Sequence, residues 1–276
     1  MKYANPLLLA LLAASALSPS LAQDRRAGVD VVGYKITLKP ALASQSITAV
    51  AEVTFLPLAD RTMSATFELH NALNITRVVD AEGNSLQSTR NFEDFTARVN
   101  FAQPLAKDQP VTIRFEYGGQ ITGEEDSPIY GIRFASVQTD HAWLLYPGRW
   151  FPVAGYTSDR YTMELTVETP QGYKAISSGV ELQQGAAVKF QSLQPGFGGS
   201  VAIVPAGAKK VAAQGITTDF YFRGEAQAQT QAWGEETAKV MTYLTSIFGT
   251  PQQANMTIVE TGKGAPAGYS APGVLF

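Results

Sequence analysis

A chain of 276 residues with 45% hydrophobic and 16% charged residues has enough apolar side chain to build a core, which excludes wholesale disorder. Its length favours one large domain plus part of a second. A formal net charge of −3, with no basic run longer than Arg25-Arg26 or Lys209-Lys210, gives no footprint for nucleic acid, and the lack of cysteine excludes disulfides, thiolate metal ligands and a lipidated cysteine.

Lys2 precedes the apolar run Leu7 to Ala14, and Ser20-Leu21-Ala22 supplies the small-x-small pattern of a cleavage site. Residues 1–22 therefore read as a signal peptide cut after Ala22. Ser15, Ser18 and Pro19 keep the run below the roughly 20 apolar residues that a membrane span needs. The expectation is an exported chain, periplasmic or extracellular, without a stable membrane span after cleavage.

From Val29 the period is that of strands. Tyr34, Ile36 and Leu38 alternate with polar neighbours, as do Ile47, Ala49, Ala51, Val53 and Phe55, and then Thr66 to His70, which predicts an antiparallel meander. Asp80-Ala81-Glu82-Gly83-Asn84 is a turn cluster after Ile75–Val79 and predicts a hairpin. Phe95, Ala97, Val99 and Phe101 alternate again, followed by Val111, Ile113, Phe115 and Tyr117. Beyond an irregular stretch from Gly123 to Gly131, strands resume at Tyr161–Val167, Lys174–Ser177 and the continuous run Val201–Val204. Many short strands at this spacing predict a mainly β sandwich over residues 23–212.

The period then changes. Trp233, Thr237, Val240, Met241, Leu244, Ile247 and Phe248 fall on one side of a predicted helix, opposite Glu235, Glu236 and Lys239, and Gly249 and Pro251 stop it. A strand at Met256–Glu260, a Gly/Pro loop and the apolar run Gly273 to Phe276 follow, so residues 213–276 read as a short, incomplete α/β segment. The run at Val274-Leu275-Phe276 is expected to stand exposed, which suggests a longer natural product.

His70 and His141 are the only histidines, without the i, i+4 spacing of a ligand pair, and read as ordinary strand or loop residues. Tyr130, Trp143, Tyr146, Trp150 and Phe151 form an aromatic group that reads as core or joint plugs ahead of a ligand platform.

Three passages, taken together, resemble the aminopeptidase N family of zinc metallopeptidases. They are Asp30–Leu38; Gly148-Arg149-Trp150-Phe151-Pro152 with the strand and Gly179 turn after it; and Tyr243–Pro251, Met256–Glu260 and Ala267–Gly273. The resemblance implies an antiparallel, saddle-like β-sandwich followed by the start of a thermolysin-like catalytic domain. It further implies a zinc peptidase whose His-Glu-x-x-His ligands are missing from this chain, so no cofactor is expected here and zinc only in a full-length relative. By the same resemblance Gly268, Tyr269, Ser270 and Ala271 would line the substrate cleft, and Leu144 occupies a position where members carry a polar residue near the substrate amine. Ser270 stands where members carry a glutamate that grips the free α-amine, which puts aminopeptidase specificity in doubt and favours an endopeptidase-like or altered substrate choice. A catalytic residue is not expected in this chain, and a peptide is the expected partner of a completed enzyme. The competing reading is a non-catalytic exported sandwich that binds a peptide or protein.

Overall fold

The computed structural model describes residues 28–122, 129–155, 160–184, 187–192, 194–251 and 255–276; the expected signal peptide lies outside them. In chain order the strands are β1 (Val29–Ala41), β2 (Ser46–Pro57), β3 (Thr62–Glu68), β4 (Asn74–Asp80), β5 (Gln87–Asn91), β6 (Thr96–Leu105), β7 (Val111–Gln120), β8 (Ala135–Val137), β9 (Ala142–Leu144) and β10 (Thr162–Glu168). Then come β11 (Tyr173–Ser177), β12 (Val180–Gln184), β13 (Ala187–Gln191), β14 (Val201–Pro205), β15 (Lys209–Ala213), β16 (Ile216–Tyr221), the helix α1 (Thr230–Phe248), β17 (Met256–Val259), β18 (Ser270–Ala271) and β19 (Val274–Leu275).

Among the described residues the strands make four sheets, in the orders β12-β13-β10-β1-β2-β7-β4, β3-β6-β5, β11-β14-β9-β8 and β15-β16-β17-β19-β18. The chain is thus mostly β, as its alternation predicts. The main core draws on the first three sheets. Val53, Phe55, Phe67, Val99 and Phe115 are all fully buried in it, and Phe67 meets Phe55 and Phe115 edge-on.

Two details depart from the simple meander. β3 leaves β2 to pair with β6 in a separate sheet, and β1 runs parallel to β10, Gly33 lying opposite Thr162. The predicted hairpin turn after Asp80 forms, with the Asn84 N–H donating to Asp80 Oδ1 at 2.8 Å and an antiparallel bridge joining Val79 to Ser85, but beyond that short ladder the two strands part into different sheets. β4 buries Val78 and Val79 and pairs with β7, whereas the polar β5 pairs with β6. The alternative partners win because Val78 gains a place against Phe115 in the core.

The sheet β11-β14-β9-β8 is buried on both faces. Val201 and Ile203 point into the main core with Leu144, while Ala202, Val204 and Trp143 point the other way, toward Tyr221, Val259, Val274 and Phe276. A strand covered on both sides has no polar face, which is the physical reason for the unbroken apolar run Val201–Val204. The change of sheet falls between β14 and β15.

The helix presents a different face from the one its sequence suggests. Thr230, Gly234 and Ala238 are its buried residues. The approach to β15 is so close that a Cβ on Gly234 would stand 2.3 Å from Val211 Cγ1, so only small residues fit beneath it. Trp233, Val240, Leu244, Ile247 and Phe248 consequently stand exposed. The run at the last residues is likewise the reverse of expectation: β19 lies between β17 and β18, and Val274 and Phe276 are buried.

Candidate functional site

The segment Gly148 to Pro152 is a structural clasp. Arg149 Nη2 lies 2.6 Å from Glu68 Oε1, both side chains nearly enclosed, and the guanidinium sits 4.8 Å from the centre of the Phe95 ring. Trp150 Nε1 donates to the Gly199 carbonyl at 2.8 Å. Phe151 packs edge-on against Tyr34 and Trp150. A Cβ on Gly199 would stand 2.6 Å from the Phe151 ring, and one on Gly148 2.7 Å from Glu68 Oε1. Of the aromatic group, Trp143, Trp150 and Phe151 are buried and Tyr130 is fully exposed, so these residues do not share one surface.

Each histidine has its own setting. His70 is buried and its Nδ1 accepts the Ala72 N–H at 3.1 Å. His141 stacks on Trp143 and its Nδ1 lies 2.6 Å from Asp140 Oδ1. Burial pushes the His141 imidazole below its ordinary pKa, against the pull of Asp140. Among the described residues no group of three or more His, Cys, Asp or Glu side chains stands close enough to hold a metal ion. The donors among the described residues do not make up a zinc site.

The four loop residues expected at a cleft come together in the hairpin formed by β18 and β19. Tyr269 and Phe276 exchange both backbone hydrogen bonds at 2.8 Å, which makes the next pair, Ser270 with Leu275, a non-hydrogen-bonded one. The Ser270 N–H and C=O therefore point away from β19, to the open edge of the sheet. Tyr269 is half-buried and packs against the cluster of Trp143 and Val274. Burial pushes its phenol above the usual tyrosine pKa, partly offset by a hydrogen bond with Ser200, whose own hydroxyl donates to the Leu145 carbonyl at 2.9 Å. Gly268 and Ser270 are exposed, and Ala271 is half-buried. Leu144 is set apart from them, fully buried in the sandwich core.

Beside the hairpin lies a cavity of about 450 Å³, bounded by Met163 and Phe197 of the sandwich, Met241 of α1, Met256 of β17, and Ser270 and Leu275. Sequence reading places Met241 on the apolar side of the helix, but the convergence of these residues has no local signal, because they come from four separate parts of the chain. A neighbouring cleft of about 370 Å³ is polar. Its charges are matched within the protein, Lys174 with Glu181 at 3.3 Å and Asp219 with Lys210 at 2.7 Å.

No protein-family model matches the sequence, and no curated protein sequence matches it. The likeness is in three dimensions. A mutant M1 zinc metallopeptidase from Deinococcus radiodurans, bound to a Tyr-Ser-Ala substrate, superposes with a TM-score of 0.70 at 15% identity, over 90% of this chain and 60% of that one. A two-domain M1 zinc metallopeptidase mutant bound to L-arginine gives 0.68 at 15% identity over the same shares. The Deinococcus radiodurans M1 zinc metallopeptidase itself gives 0.66 at 15% identity, over 95% of this chain and 62% of that one. At this identity the likeness shows the fold alone, that of the matching part of these M1 zinc metallopeptidase structures. The chain spans about three fifths of the length of these structures.

Proposed function

We propose that this chain is the front part of an exported M1-type zinc peptidase: the β-sandwich and the opening of the catalytic unit, whose hairpin edge receives a peptide. The observation that carries this reading is the coincidence of fold and loop. The 90% of the chain that superposes on a peptidase with a peptide bound comes together with Ala267–Gly273, whose strand presents the Ser270 main chain at a free sheet edge. An open edge takes an extended peptide by adding a strand, with main-chain hydrogen bonds for affinity and pockets for alternate side chains.

In this reading the zinc ligands belong to polypeptide outside the 276 residues, and the chain alone does not hydrolyse peptides. When bound, the metal would supply an activated water for attack on the peptide carbonyl; the residues here bind and orient the peptide. The export assignment is supported by Lys2, the Leu7–Ala14 run and the Ser20–Ala22 pattern. The test is to translate the coding DNA downstream of the Phe276 codon in all three frames. A His-Glu-x-x-His motif with a later glutamate within a few tens of codons is the expected result; unrelated sequence there, or chelator-sensitive peptidase activity in the purified chain, refutes the reading. Fractionation of expressing cells checks export, with loss of the first 22 residues as the expected mass change.

A further inference from the structure

We infer that the cavity beside Ser270 takes an uncharged, apolar residue of a peptide that continues past the hairpin edge, and that it discriminates against a free α-amine. The inference rests on the peptidase reading above and concerns its substrate class.

The first ground is the chemistry of the walls. The cavity is lined by aliphatic, aromatic, methionine, glycine, serine and amide groups, and none of its described lining residues carries a charge. Three methionines meet there, Met163, Met241 and Met256. Thioether side chains fill irregular apolar space and adapt to a varied apolar guest. An ammonium group placed among them loses its water and gains no anion, a penalty that grows as the site closes. Glu181 and Asp219 in the neighbouring polar cleft are already paired with Lys174 and Lys210, and Glu164, next to Met163, is paired with Lys189.

The second ground is continuity. Ser270 belongs both to the open edge and to the cavity wall, and Ala271, Pro272 and Gly273 carry the wall onward. A peptide paired along β18 therefore does not meet a closed end at Ser270. It runs on into space bounded by the sandwich residues Met163 and Phe197. A peptide whose amine must be gripped at Ser270 would need a carboxylate, and Ser270 offers a neutral hydroxyl, which can accept a hydrogen bond from an ammonium but supplies no opposite charge to offset its desolvation.

The test is a binding measurement that needs no zinc and no catalysis. The full chain is prepared with methionine labelled at the ε-methyl carbon and titrated with N-acetyl-leucyl-leucinamide, and separately with leucyl-leucinamide, which has a free amine. Met63, half exposed on β3, is the internal control. The expected result is that the Met163, Met241 and Met256 methyl signals shift with the acetylated ligand while Met63 does not. The free-amine ligand should bind at least about tenfold more weakly at pH 6.5, and this gap should narrow at pH 9, where an α-amine of pKa roughly 7.7–8.0 is neutral. Ser270→Glu, at an exposed position, should reverse the preference.

Equal or tighter binding of the free amine at pH 6.5 overturns the inference, as does a titration in which the three cavity methyls stay still with both ligands. Neither outcome touches the peptidase reading, which stands or falls on the downstream coding sequence. A missing zinc motif there, with the methyl shifts present, would instead leave an apolar-peptide site on a protein that is not a peptidase.

Discussion

The sandwich and the segment after Pro205 are both built on β-sheets, yet they are held together in different ways. The sandwich is filled by large interlocked rings, including Trp150, Phe151, Phe55, Phe67 and Phe115, and closed by the enclosed Arg149–Glu68 pair. The second unit has a small core of its own, Val211, Phe220 and Ile258, and a helix seated on glycine and alanine with its large apolar residues outside. Much of the unit's remaining burial is borrowed: Tyr221, Val259, Val274 and Phe276 pack on the back of β9, β11 and β14. The second unit therefore leans on the sandwich for much of its buried apolar surface, whereas most of the sandwich core is made by the sandwich itself.

Trp150→Ala should produce the largest effect, because it deletes a fully buried ring and its hydrogen bond to Gly199. A loss of about 3–5 kcal/mol is expected in urea unfolding, with the sandwich and the second unit melting together. Glu68→Gln should cost about 3 kcal/mol, since it leaves the Arg149 charge buried without its partner. The same denaturation experiment checks it, and a change of less than about 1 kcal/mol would mean that the pair is solvated as a surface pair is. Gly234→Leu should separate the two regions. Its side chain collides with Val211, at a cost of about 1–3 kcal/mol, read as faster amide exchange in α1 and β15 while β1 and β2 keep their protection.

The smallest effect concerns the joint between them. His141 stacks on Trp143, and Asp140, Arg223 and Glu260 are the charged groups that act on it. Since burial lowers the folded-state pKa, the unfolded chain takes up the extra proton first as pH falls through its ordinary value near 6.5. Stability from this group is complete above that pH and declines below it. His141→Gln should flatten the pH dependence of melting between pH 7 and 5. An unchanged slope would show that carboxylates alone produce it.

Much of the fold is legible in the sequence because alternation survives wherever one face meets the core, as in Tyr34, Ile36 and Leu38 or in Ile47 to Phe55. The partner of each strand is not legible. Nothing local tells β1 to lie parallel to β10, or β5 to choose β6 over β4, because such choices are made by residues distant in sequence. The helix misleads for a specific reason: amphipathicity marks the largest apolar residues, whereas Gly234 and Ala238 mark the closest approach. At the candidate site, the motif at Ala267–Gly273 locates the hairpin. The cavity behind it depends on Met163, Phe197, Met241 and Met256 converging from separate elements, which no spacing encodes.

The parallel pairing of β1 with β10 also sets an order of events during synthesis. Gly33 pairs with Thr162, so the first strand cannot complete its ladder until the chain has been made through β10. At roughly 5–20 residues per second that wait is on the order of ten seconds. For that interval one side of β1 is an unpaired edge, the kind that templates aggregation. Any truncation before Glu168 makes the interval permanent, and because β13 covers the other edge of β10 and Val201 and Ile203 of β14 fill the main core, an expressible sandwich has to run through β14.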